Sequence, residues 1–141
     1  MTAFADSSAL VKLYADEPGA SLVRRRAPFV VSALARVEVP AALWRKHRQG
    51  ELSAQDVGVL AADFGADWHE PAGPFIPVTV GGQVLERAAA LVAGHALRAY
   101  DGVQLACASA ARDADPQVDS FLCFDAALRD AAARESFQLM G

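Results

Sequence analysis

Four acidic residues far apart in the chain, Asp6, Glu38, Asp101 and Asp125, carry the chemistry that this sequence offers. Asp6 and Asp125 each follow a short apolar run, whereas Glu38 and Asp101 fall in the early turns of helical patterns. Carboxylates gathered in one place repel, because each negative charge raises the cost of ionising the next. A hard divalent cation resolves that conflict, since Mg2+ and Mn2+ prefer carboxylate and water oxygens. Sites holding two such ions ~3.5–4 Å apart activate water and stabilise both oxygens of an in-line phosphoryl displacement. Each acid also has a plainer reading. Asp6 before Ser7 and Ser8 is a good helix cap, and Asp101 in a first helical turn is stabilised by the positive helix end. What decides between the readings is where the surrounding elements put these side chains.

Thr2 to Ala5 reads as a strand that stops at Asp6, after which apolar residues recur at helical spacing through Tyr14. Asp16 to Gly19 breaks the pattern, Ala20 to Arg26 is a short second helix, and Pro28 to Val31 is a second strand. Ser32 is expected to cap a third helix that runs to about Gln49 and ends at Gly50. Pro40 lies inside it and removes a backbone donor, so a kink is expected near Arg36, beside Glu38. Ser53 opens a fourth helix, Ala54 to about Trp68, and the two long helices should form an antiparallel hairpin. Phe75 to Val80 is interrupted by Pro77 and reads as a short or edge strand; Gly81 and Gly82 read as a turn. A fifth helix covers Gln83 to Ala93, and a sixth, rich in small residues, covers Leu97 to Ala111 with Asp101 in its first turn. Asp113 to Asp119 is a polar loop, Phe121 to Phe124 a strand ending at Asp125, Ala126 to Arg134 a helix, and Phe137 to Met140 a last strand.

Strands alternating with helices imply an α/β fold, a parallel sheet covered on both faces. All carboxyl ends of such a sheet point the same way, and ligands bind at that edge. Asp6 and Asp125 follow strands, Asp101 sits in a first turn, and Glu38 lies two turns into its helix, so the four are expected to converge there.

A chain of 141 residues fits one domain, residues 1–141, and 53% hydrophobic with 21% charged residues matches a compact fold. No apolar window reaches the ~18 residues of a membrane span, and Met1 leads into a strand and not a signal segment, so no membrane association and a cytoplasmic location are expected. The net charge of −4 argues against nucleic-acid binding through overall field. Local clusters remain, Arg24 to Arg26 and Arg45 to Arg48, which can contact phosphates or simply end helices. Cys107 and Cys123 lack Cys-x-x-Cys spacing and read as buried reduced thiols. His69 and Glu70 lack the second His of a zinc protease motif, and Gly81-Gly82 opens no phosphate loop. Trp44, Trp68 and Tyr100 are isolated and read as core or partner contacts.

The opening Phe4 to Tyr14, the stretch Ser32 to Leu43 with Glu38, the run Leu97 to Ala106 with Asp101, and Phe121 to Leu128 with Asp125 resemble, in order, the successive motifs of PIN-domain ribonucleases, above all the VapC-type toxins of bacterial toxin–antitoxin pairs. The resemblance implies a three-layer sandwich with a central parallel sheet, helices on both faces and a protruding helical hairpin. It implies Asp6 and Asp101 as principal ligands of Mg2+ or Mn2+, Glu38 and Asp125 completing the acidic pocket, and a polar role for Ser7 or Ser8 beside the metal. Arg98 would guide a phosphate or oppose the acids. The implied activity is hydrolysis of structured RNA at a tRNA or rRNA loop, the implied partners a second copy of the chain and a VapB-like antitoxin. Pro40, Gly102 and Cys123 depart from the family pattern, and a catalytically silent PIN-like module that binds RNA or protein is the alternative. Neither the paired Asp of haloacid dehalogenase-like enzymes nor the acidic pair and Lys of response-regulator receivers is present.

Overall fold

The computed structural model describes residues 2–140. Along the chain run β1 (Thr2–Ala5), α1 (Ser7–Val11), α2 (Ala20–Arg24), β2 (Phe29–Ser32), α3 (Ala35–Arg48), α4 (Ala54–His69), β3 (Phe75–Val78), α5 (Gly82–His95), α6 (Ala99–Ala114), β4 (Val118–Leu122), α7 (Ala126–Arg134) and β5 (Gln138–Met140). The five strands form one sheet in the order β3-β2-β1-β4-β5, and every pairing is parallel. Chain order therefore reverses at β1, which lies between β2 and β4. That position is the switch point of an open α/β sheet, where a crevice opens at the carboxyl ends.

Successive strand residues point to opposite faces, and the two cores follow that alternation. Phe4, Val30 and Phe121 pack with Val103, Ala106, Leu128 and Leu91 on the face covered by α5, α6 and α7. Ala3, Ala5, Phe29, Val31 and Leu122 pack with Leu10, Val23, Val39, Leu43, Val57 and Phe64 on the face covered by α1 to α4. The result is helix, sheet, helix, as the motifs implied. α3 and α4 pack side by side, with Ser53 Oγ accepting the Asp56 N–H at 3.0 Å as the cap of α4. Trp68 belongs to this second core through Phe64 and Phe75.

Several boundaries differ from the sequence expectation, each for a tertiary reason. Ser32 does not cap α3. It ends β2 opposite Val78, and its Oγ accepts the Leu34 N–H at 3.1 Å in a turn that precedes the helix. Pairing with β3 continues through the Ala33 N–H to Val78 O at 2.9 Å, which holds this residue in the sheet. Pro40 stands inside α3 without interrupting it. The Pro costs about 3 kcal/mol in a helix interior; fully buried Ala35, Val39 and Leu43 anchor α3 on both sides of it. β4 begins at Val118 and ends at Leu122, earlier than Phe121 to Phe124, because its register with β1 runs from Thr2 opposite Val118 to Ala5 opposite Leu122. The loop expected over Asp113 to Asp119 shrinks accordingly to the link between Ala114 and Val118. Gly82 is the first residue of α5 and not part of a turn. β3 is an edge strand, as Pro77 required.

Candidate active site

Asp6 leaves β1 at the centre of the sheet, its N–H donating to Leu122 O at 3.1 Å and so tying it to β4. Its carboxylate caps α1: Oδ1 accepts the Ala9 N–H at 3.1 Å and the Ser8 hydroxyl at 2.7 Å. The other oxygen, Oδ2, accepts from the Cys123 thiol at 3.4 Å. Cap and pocket residue are thus one group, since Asp6 also lines a cavity of about 410 Å3 together with Ser7, Ser8, Glu38, Asp101 and Asp125. Cys123 supplies here the donor that a hydroxyl would supply. Burial and the Asp6 charge both push its thiol well up, so it stays protonated and donates.

Glu38 reaches the same cavity from α3. Its Oε1 accepts from Ser7 Oγ at 3.0 Å and from Gln104 Nε2 at 2.7 Å, while Gln104 Nε2 also donates to Ser7 Oγ at 3.0 Å. This triangle joins α1, α3 and α6, and it holds Glu38 in the pocket despite Pro40. Gln104 is 2% exposed, and its Oε1 is buried with no partner among the described residues. Sequence reasoning passed over it. The available signal was its position three residues after Asp101, the same face of α6.

Asp101 sits in the first turn of α6, with Arg98 at the N-cap. Its neighbour Gly102 is explained by packing: a Cβ there would lie 2.4 Å from Val92 Cγ1 and 3.4 Å from Ala88 O, so only glycine lets α5 approach. Asp125 lies past the end of β4 and caps α7, Oδ2 accepting the Leu128 N–H at 3.0 Å. All four predicted acids therefore meet in one cavity, together with Ser7, Ser8 and Arg98. Tyr100, 64% exposed, and Arg45 also line it. Of the basic cluster on α3, Arg45 thus stands at the site, whereas Arg25 and Arg26 line a separate cavity with Thr2 and Pro28.

The electrostatics are those of like charges under strain. Burial, partly offset by the bonds from Ser8, Ala9 and Cys123, pushes the Asp6 carboxyl up to about 6, and the charge of Asp101 pushes the same way. Glu38 is raised by burial and by Asp101, against the bonds from Ser7 and Gln104. Asp101 is raised by burial and by Asp125, and Arg98 opposes this. Asp101 is the common neighbour of the other three. A set made only of carboxylate oxygens that repel one another suits a hard divalent cation. Among the described residues no group of three or more His, Cys, Asp or Glu side chains stands close enough to hold one ion. Mg2+ fits such a set nonetheless, because one or two carboxylates commonly hold it while water and substrate phosphates fill its other positions.

Fold and site together define an α/β domain whose acidic centre lies at the switch point of a parallel sheet. The PIN domain family model matches residues 3–134, and the chain belongs to that family, whose members are generally nucleases. Among solved structures, a toxin–antitoxin complex from Klebsiella pneumoniae superposes with a TM-score of 0.58 at 17% identity, covering 88% of this chain and 87% of that one. A likeness at that identity is one of fold. No curated protein matches the chain.

Proposed function

We propose that this protein is a Mg2+- or Mn2+-dependent endoribonuclease, a VapC-like toxin that hydrolyses a phosphodiester in a tRNA or rRNA loop and is held silent by a cognate VapB-like antitoxin. The observation that carries the reading is the convergence of Asp6, Glu38, Asp101 and Asp125, from four separate elements, on one open cavity at the sheet's carboxyl edge. Asp6 and Asp101 are the principal metal ligands, and Glu38 and Asp125 complete the acidic pocket around them. When bound, the ion supplies an activated water and neutralises charge on the scissile phosphate. The chain's own residues do the rest. Ser8, Ala9 and Cys123 fix the Asp6 carboxylate, Ser7 and Gln104 fix Glu38, and exposed Arg98 guides an incoming phosphate.

Single-stranded loops suit the site because their bases and backbone are open to a protein groove. The toxin–antitoxin assembly of the Klebsiella neighbour supports an antitoxin partner. Exposed Val37, Ile76 and Leu85 offer apolar surface for a homodimer, which light scattering on the isolated protein will show as twice the chain mass. No helix among the described residues is long and apolar enough to cross a membrane. A cytoplasmic location belongs to the same proposal, because that is where tRNA and rRNA lie.

The test is incubation of the purified protein with total cellular RNA and Mg2+ or Mn2+, with mapping of new RNA ends. Cleavage should disappear in EDTA and in Asp101→Asn. Intact RNA in every condition defeats the nuclease reading and leaves a PIN-like binding module.

A further inference from the structure

The acidic cavity continues beyond its carboxylates. Ser8, Ala42, Arg45 and Asp125 line both it and a second cavity of about 420 Å3, whose walls include Lys12, Lys46 and Phe124. Four shared wall residues make the two cavities one groove that leaves the acids along α3. Glu38, Ala42 and Arg45 stand at i, i+4 and i+7, one face of the helix. At 1.5 Å per residue the Arg45 backbone lies about 10 Å along the axis from that of Glu38.

The cations of this groove are not equivalent. Lys12 Nζ donates to Glu17 at 2.9 Å and to Pro18 O at 2.7 Å, and Lys46 is paired with Glu17 and Glu51. Both ammonium groups are already neutralised. Arg45, exposed on α3, has no ion-pair partner among the described residues. A planar guanidinium with free donors is matched to phosphate, which it grips with two parallel bonds. A nucleic-acid strand carries phosphates in series, so when one linkage lies over the acids, another lies down the groove.

We propose that Arg45 forms a phosphate subsite for single-stranded RNA running from the acidic pocket along α3, and is therefore a substrate-positioning residue. The inference rests on the RNA-cleaving reading of the same pocket. Arg45 touches a phosphate away from the reacting one, so its loss weakens binding and leaves the chemical step alone.

The experiment measures binding of a fluorescein-labelled oligouridylate by anisotropy, in EDTA so that the strand stays intact, over a series of KCl concentrations. Arg45→Gln should bind about tenfold more weakly than wild type at low salt. The slope of log affinity against log salt should flatten by about 0.7, the value for one lost phosphate contact on a single strand. Arg45→Lys should keep the wild-type slope, and Arg26→Gln, in its separate cavity, should match wild type. In parallel cleavage assays on total RNA, Arg45→Gln should need more RNA for half-maximal rate and reach the same maximal rate. Wild-type affinity and slope in Arg45→Gln, with RNA cleavage intact in the wild type, overturn the subsite alone. A wild type that neither binds nor cleaves RNA overturns the nuclease reading and the subsite with it.

Discussion

Replacing Asp6 by Asn separates the structural cost of this residue from its use. Asp6 is 5% exposed, and burial lifts its carboxyl from an ordinary 3.8 to about 6. Between those two values the folded chain holds the proton and the unfolded chain releases it. The folded state then binds more protons than the unfolded one, so stability falls as pH rises through the window. A shift of about 2 units at 1.36 kcal/mol each makes the metal-free protein about 3 kcal/mol less stable at neutral pH than at pH 4 on account of this group. Asn keeps the shape without the charge, and it is as good a helix cap as Asp, so the Ala9 N–H and the Ser8 hydroxyl keep an acceptor. The amide nitrogen cannot accept from the Cys123 thiol, which returns about 1 kcal/mol. In EDTA at pH 7 to 8, Asp6→Asn should therefore be about 2 kcal/mol more stable than wild type, a rise of about 7 °C in melting temperature for a chain of this size. The advantage should vanish toward pH 4. Adding Mg2+ should reverse the order, because the ion stabilises the protein that binds it in proportion to the logarithm of one plus the ratio of free Mg2+ to its Kd. Thermal unfolding followed by circular dichroism from about pH 4 to about pH 8, with and without Mg2+, reads all three effects. A variant equally destabilised at every pH in EDTA would refute the claim that a buried, repelled charge sits at this position.

The other expectations follow from individual contacts. Gln104→Leu removes the 2.7 Å bond to Glu38 and should lower Mg2+ affinity, read by calorimetry, about 10- to 100-fold, as does loss of groups that orient metal ligands. Gly102→Ala drives a methyl to within 2.4 Å of Val92 Cγ1 and should cost about 1–3 kcal/mol in urea unfolding, with Val92→Ala added to it restoring part of the loss.

Much of the fold was legible in the sequence because its signals are local. The acid after an apolar run at Asp6, the Ser53 cap, and Pro77 restricting β3 to an edge depend on a few neighbouring residues and survive in the structure. Gathering the acids from the strand–helix alternation also succeeded, since parallel strands must send their carboxyl ends to one edge. Local signals failed where longer-range contacts outweighed them. Ser32 has the chemistry of a cap, yet pairing with β3 keeps it in a strand, and the Pro40 penalty is outweighed by the buried side chains of α3.

By itself, then, the sequence determined which residues hold charge and where strands give way to helices. Only the tertiary structure decided that β1 lies between β2 and β4, which sets Asp6 beside the strand leading to Asp125. It alone joined Gln104 to Glu38 across 66 residues of chain and ran the groove from the acids to Arg45. The physical reason is that caps, breaks and periodicities are set by near neighbours. Strand order and side-chain encounters are set by the burial of two whole sheet faces at once.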